Sequence, residues 1–264
     1  MRCFWKILLQ KALVLVDSLV YDNNILSAGT EVDTMKICGL QKLAMVDYPG
    51  KLAATVFTGG CNLRCSFCHN ALLVTRVEEN EVLSQDAVLA FLKSRRGLLD
   101  GVVLSGGEPL MQPGVPDFLR AVKDLGFDVK LDTNGTFPDR LAALLDAGLV
   151  DYAAMDIKNS PEKYPLTVGV PGFDMAPIRE SAALLMEGPV PFEFRTTVVR
   201  EFHTAADMEA IGQWLEGAPR YFLQQFVDSG DLVGGGLTAW PPETLRSLAD
   251  AARPFFGEVA IRGI

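Results

Sequence analysis

An α/β fold, a partial (β/α)6 barrel of the TIM type, is what this chain predicts, on three observations. Short apolar strands alternate with amphipathic helical segments from Met35 onward, which implies parallel βα units. Prolines stand where the helices should begin, in a first turn that tolerates them. The 264 residues, 49% hydrophobic and 22% charged, suffice for one large domain with a sizeable core.

Candidate strands are Leu52 to Phe57, Gly101 to Leu104, Asp128 to Leu131, Tyr152 to Ile157, Phe192 to Val198 and Tyr221 to Phe226, with Glu258 to Ile261 as a short extra one. Between them, Ser84 caps a helix that carries Val88, Leu89, Phe91 and Leu92 on one face. Thr204-x-x-Asp207 opens another with Met208, Ile211 and Leu215. Further helices begin near Pro116, Pro138, Pro177 and Pro242. Helices of this kind cover both faces of an open sheet or the outside of a barrel.

The domain is expected over residues 35 to 264, with residues 1 to 34 as an N-terminal extension outside its core. Phe4 to Val20 is apolar, yet Lys6, Gln10, Lys11 and Asp17 interrupt it. It is too short and too charged for a span of about 20 residues, and no small-residue cleavage site follows. An amphipathic interfacial helix is the alternative. The net charge of −9 argues against a broad nucleic-acid footprint, which needs a basic stripe. Five cysteines with no disulfide framework point to a reducing cytoplasm, and no membrane association is expected.

Three of those cysteines lie within eight residues, in Gly59-Gly60-Cys61-Asn62-Leu63-Arg64-Cys65-Ser66-Phe67-Cys68-His69-Asn70. Three thiolates on a four-iron cluster leave one iron open to a small molecule. A structural zinc site is the alternative, but it normally closes with a fourth Cys or His. His69 is too close to Cys68 to turn onto the same ion, and His203 lies far along the chain in a predicted loop. The triplet follows an apolar strand, so its loop should leave the strand's carboxyl end, where α/β sheets place their chemistry.

Four more segments carry polar groups at strand ends. Ser105-Gly106-Gly107-Glu108-Pro109 has two glycines that let backbone approach a zwitterionic ligand, or simply make a tight turn. Asp132-Thr133-Asn134-Gly135 and Asp156-Ile157-Lys158 place two acids and a lysine at a parallel sheet's carboxyl edge. Burial there costs several kcal/mol unless the charges are paired or ligated. A structural Asp-Lys pair with an Asn-Gly turn is the alternative. Arg195, on an otherwise apolar strand, has a guanidinium fork suited to a carboxylate, either a ligand's or one of these acids. Gln224 and Gln225 end the next strand as uncharged hydrogen-bonding groups. Phe67, between two cysteines, has the alternative of plugging its own loop. Asp47-Tyr48-Pro49-Gly50 reads as a polar turn before a strand.

The spacing C-x3-C-x2-C resembles the signature of the radical S-adenosylmethionine superfamily. Leu40 to Cys61, with its Asp47-Tyr48-Pro49-Gly50, and His69-Asn70 closely resemble the activating proteins of anaerobic ribonucleoside-triphosphate reductase, among the glycyl-radical-enzyme activases. The likeness runs from about residue 35 to the end. It implies the barrel of that superfamily and one 4Fe-4S cluster on Cys61, Cys65 and Cys68. It further implies S-adenosylmethionine on Phe67, Asn70, Gly106, Gly107, Glu108, Asp132, Asn134, Lys158, Arg195 and Gln225. Asp132, Thr133 and Asp156 are the implied ligands of a monovalent cation, and Asp47 the implied contact to the partner's loop. The implied partner is a glycyl radical enzyme, with reduced flavodoxin or ferredoxin as electron donor. A radical enzyme acting on a small molecule and a non-catalytic zinc protein remain the alternatives.

Overall fold

The computed structural model describes residues 35–264. The expectations for residues 1 to 34 and for Phe4 to Val20 lie outside the described residues. Eight strands form one sheet in sequence order: β1 (Ile37–Ala44), β2 (Ala53–Thr58), β3 (Gly101–Gly106), β4 (Asp128–Thr133), β5 (Tyr152–Asp156), β6 (Phe192–Val198), β7 (Arg220–Gln225) and β8 (Glu258–Arg262). β2 to β8 are all parallel, and β1 pairs antiparallel with β2 at one edge. β1 and β8 do not pair, so the barrel stays open.

The six expected strands are all present and Glu258–Arg262 is the seventh parallel one. The sequence reading missed β1. Its run Ile-Cys-Gly-Leu-Gln-Lys-Leu-Ala buries only its two ends and breaks register twice, so it shows no alternation to detect.

All the helices but α1 start at a side-chain cap or a first-turn proline: α1 (Ala71–Thr75), α2 (Gln85–Ser94), α3 (Val115–Asp124), α4 (Pro138–Asp146), α5 (Tyr164–Val168), α6 (Ala176–Glu187), α7 (Ala205–Trp214) and α8 (Pro242–Ala252). The Ser84 hydroxyl accepts the Ala87 N–H at 3.2 Å. At α7, the Asp207 carboxylate accepts the Thr204 N–H at 2.8 Å and its hydroxyl at 2.7 Å. Each such cap is worth about 1 kcal/mol. No described helix is long and apolar enough to cross a membrane.

Strand alternation separates two interiors. One face of β3 to β7 sends Val102, Leu104, Val129, Leu131, Met155, Phe194 and Leu223 into the helix-covered core. The other lines the inside of the barrel. At its lower end Tyr48 packs with Ala53, Val103 and Tyr152 in a small separate cluster. Above it the lining is charged, and those charges set the floor of the site.

Candidate active site

The cysteine loop leaves the carboxyl end of β2 and the Gly-Gly-Glu loop leaves β3 beside it. Their backbones are stitched directly: Gly107 N–H donates to the Thr58 carbonyl and Glu108 N–H to the Gly60 carbonyl, both at 2.8 Å. Gly106 sits at φ +116°, and a Cβ there would strike the Thr58 backbone, while one on Gly107 would strike the Gly60 carbonyl. Close approach between two site loops therefore demands both glycines. Gly107→Ala is expected to push the cysteine loop away, costing about 1–3 kcal/mol and lowering cluster content. Iron and sulfide analysis beside a thermal melt checks this, and an unchanged protein would mean the loops yield freely.

Glu108 differs from its expected place. Its carboxylate is fully buried and accepts from Leu110 N–H (3.0 Å), Thr133 Oγ1 (2.8 Å) and Asn134 N–H (2.6 Å). Burial pushes its pKa up to about 7 against the pull of these bonds. Glu108 thus ties the β3 loop to the Asp132-Thr133-Asn134-Gly135 loop beneath the site surface. Thr133, expected as a cation ligand, spends its hydroxyl on that tie.

The three thiols lie along the loop with Cys65 buried and Cys61 and Cys68 half-buried. Burial pushes the Cys61 thiol up to about 11 and the Cys65 thiol up to about 12. Such thiols ionise when a bound cation compensates their charge. Cys61 Sγ already receives the Leu63 N–H at 3.4 Å and Asn134 Nδ2 at 3.7 Å, the hydrogen bonding that metal-bound sulfur takes. A closed tetrahedral zinc site takes four ligands, and this loop offers three thiols in reach of one centre. The donor set fits a 4Fe-4S cluster.

Beneath the cysteines, five charges form one chain across β4, β5 and β6. Lys130 Nζ lies 2.8 Å from Asp132 Oδ1, and Arg195 NH1 lies 3.4 Å from the same oxygen. Arg195 also gives Nε to Asp156 Oδ1 at 3.0 Å, and Lys158 Nζ meets Asp156 Oδ2 at 2.9 Å. Three cations face two anions in this chain, with buried Glu193 paired to Arg262 beside it, which leaves positive charge to complement a carboxylate. Burial alone would raise the Asp156 pKa, but Arg195 and Lys158 overcome it and hold that carboxyl below the usual range. In this structure both acids expected to bind a cation are engaged by Arg195 and lysines.

Asn70 donates Nδ2 to the Gly106 carbonyl at 3.2 Å, joining the ends of the first two loops. Gln225 donates Nε2 to the Trp240 carbonyl at 2.9 Å, while its Oε1 is buried without a partner. Phe67 points inward, 3% exposed, with its ring 6.1 Å from Phe202 and 6.4 Å from His203. It packs as the plug of its loop.

Asp47 is corrected outright. Its turn precedes β2, at the amino end of the parallel strands, opposite the cysteine loop. Its carboxylate accepts Thr55 Oγ1 at 2.7 Å and its carbonyl accepts Lys130 Nζ at 2.6 Å. With Tyr48 buried against Tyr152, the turn stoppers the bottom of the barrel. A partner's loop at the cluster face cannot meet it there.

Two residues that the sequence reading left without a role belong to this assembly. Lys130 anchors one end of the charge chain, and His203 lies buried between its loops. Lys130 offered a signal, a charge between the apolar Val129 and Leu131 in mid-strand.

Residues 55–215 match the Radical SAM superfamily model. The chain belongs to the radical SAM superfamily. Among curated relatives, a provisionally named glycyl-radical enzyme activating enzyme of Methanocaldococcus jannaschii is 32% identical over 237 residues, covering 86% of this chain and 96% of its own. A GTP 3',8-cyclase of Alkaliphilus oremlandii is 33% identical over 108 residues, 39% of this chain and 34% of its own. Among solved structures, Streptococcus suis SuiB bound to S-adenosylmethionine superposes with a TM-score of 0.60 at 14% identity, over 77% of this chain and 48% of that one. Membership in the radical SAM superfamily makes this chain an enzyme with a 4Fe-4S cluster and S-adenosylmethionine, and the cysteine loop and positive floor are where its residues would hold them.

Proposed function

We propose that this radical SAM enzyme is a glycyl-radical-enzyme activase whose partner is anaerobic ribonucleoside-triphosphate reductase, fed by reduced flavodoxin or ferredoxin. The observation that carries the activase reading is the end-to-end match to the archaeal relative, which spans 86% of this chain and 96% of its own. The match to a nucleotide cyclase spans only 39% of this chain, which supports small-molecule chemistry less well.

When bound, the cluster and S-adenosylmethionine supply one-electron cleavage of a carbon–sulfur bond, chemistry that belongs to the cofactor. The chain's own work is placement. Cys61, Cys65 and Cys68 hold the cluster, and the backbones of Gly106 and Gly107 present carbonyls to an amino group. Lys158 and Arg195 offer positive charge to a carboxylate, backed by Asp132 and Asp156. Gln225 Oε1, buried and without a partner, suits a ribose hydroxyl or adenine amino group. Asn134 and Asn70 brace the loops around the cysteines. A monovalent cation on Asp132, Thr133 and Asp156 is the finest part of this reading. It requires Arg195 or a lysine to release a carboxylate oxygen.

The test is anaerobic incubation of reconstituted chain, S-adenosylmethionine, dithionite and purified anaerobic ribonucleoside-triphosphate reductase. A glycyl-radical doublet in the electron paramagnetic resonance spectrum of the reductase is expected. S-adenosylmethionine consumed with no radical on the reductase refutes that partner. No radical on any glycyl radical enzyme offered refutes the activase reading.

A further inference from the structure

His203 lies just beyond β6 and belongs to none of the motifs that define the site, yet it touches four segments that build it. Its Nδ1 accepts the Val199 N–H at 3.0 Å, which leaves the hydrogen on Nε2, facing the Lys158 carbonyl at 2.8 Å. Its ring stands edge-on to Phe67 of the cysteine loop, with centroids 6.4 Å apart. Its own carbonyl accepts Trp240 Nε1 at 3.1 Å, from the segment whose backbone also receives Gln225. The ring is fully buried, and burial lowers its pKa, so it stands neutral in this tautomer.

The Lys158 carbonyl is one of three in a row. Tyr164 Oη meets the Asp156 carbonyl at 3.4 Å, and Thr196 Oγ1 donates to the Ile157 carbonyl at 2.7 Å. His203 Nε2 completes the set. Asn159 Nδ2, next along, donates to the Phe202 carbonyl at 3.1 Å, tying the same loop back to the residue before His203. The backbone under the Asp156 and Lys158 side chains is therefore fixed by donors from three other elements. Among these donors His203 sets its ring against Phe67 of the cysteine loop, and α5, which carries Tyr164, meets the same loop where the Val168 carbonyl accepts the Arg64 N–H at 2.8 Å.

We propose that His203 is a positioning residue for S-adenosylmethionine, holding Lys158 in place through its carbonyl and joining that lysine to the cysteine loop through Phe67. The proposal rests on the cofactor site described above. Without the clamp the Lys158 carbonyl loses its side-chain donor, and the lysine beside Asp156 loses its fixed origin.

Three substitutions separate this role from filling space. His203→Phe keeps the ring and its contact with Phe67 but donates nothing. His203→Gln places an amide where Nε2 stands and restores a donor to Lys158. His203→Asn reaches only the Nδ1 position. Cluster content, thermal stability and S-adenosylmethionine affinity by equilibrium dialysis are measured on each reconstituted protein. The expected result is normal iron and sulfide in all, with affinity about tenfold weaker in Phe and Asn and recovered toward wild type in Gln. Equal affinity in Gln and Asn, or full affinity in Phe, overturns the proposal. Should Phe fail to fold, the Gln and Asn pair still decides. If the wild-type protein binds no S-adenosylmethionine, the cofactor site itself has failed.

Discussion

Alanine at any one of Cys61, Cys65 or Cys68 abolishes S-adenosylmethionine cleavage, and the anaerobically reconstituted variant carries little iron and sulfide. The three residues leave one loop, the neighbouring His69 is too close to Cys68 to turn onto the same centre and replace a lost ligand, and burial keeps the Cys61 and Cys65 thiols protonated unless metal compensates. Losing one ligand therefore removes more than one bond, because the remaining buried thiols lose the charge that ionises them. Absorbance near 400 nm, iron and labile sulfide per chain, and product formation with dithionite read the effect together. A wild-type protein that reconstitutes with stoichiometric zinc and no sulfide would falsify the cluster assignment for all three residues at once.

The second large effect is at Asp156. Its carboxylate is shared by Arg195 and Lys158, both mostly shielded from solvent, with 11% and 17% of their side chains exposed. Asp156→Ala leaves two cations facing each other without their anion. The expected loss is about 3 kcal/mol of unfolding free energy, the low end for a broken buried pair, because Asp156 keeps 29% of its side chain exposed. Pairing it with Lys158→Met recovers only part of the stability, since Arg195 has still lost one of its two acids. S-adenosylmethionine affinity is not recovered if Lys158 meets the cofactor carboxylate as proposed. Recovery of both would reduce the pair to scaffold. The cation assignment adds one requirement: wild-type binding must tighten when potassium replaces choline, and Asp156→Ala must lose that response. Calorimetric binding and urea denaturation on the three proteins supply every number needed.

The same carboxylate sets an acid limit. Its folded pKa lies below the unfolded value of about 3.9. The stability it supplies is complete above about pH 4 and is lost as the pH falls from there toward the folded value. In Asp156→Ala that part of the acid denaturation curve flattens.

The positions of most strands and helices were legible because they rest on local signals. Proline first turns, the Ser84 cap and the Thr204–Asp207 capping box act within four residues of one another. Strands such as β2, β3 and β5 read as short apolar runs, because a parallel sheet buries both faces. β1 escaped because an edge strand buried only at its ends carries no alternation. The cysteine triplet was equally readable, since ligand spacing within one loop is a property of the chain and not of its folding.

What sequence could not say is which partner each polar group takes, because that depends on strands brought side by side from distant parts of the chain. A carboxylate at a strand end reads the same whether it faces a ligand, a cation or a guanidinium, and here Asp132 and Asp156 both face Arg195 across neighbouring strands. Glu108 sits in a ligand-binding motif by sequence, yet folding turns its carboxylate down onto Thr133 and Asn134, where three donors satisfy it. Asp47 lies only 14 positions before Cys61, but an antiparallel turn into β2 sends it to the far end of the barrel. His203 carries no motif at all, and it gains its place only when β6 lies beside β5 and brings its ring to the Lys158 carbonyl. The chain alone determined the superfamily and the order of βα units, which are local in origin. The direction each buried side chain faces was decided by tertiary structure, because a buried polar group is placed by whatever distant donor or acceptor removes the cost of leaving water.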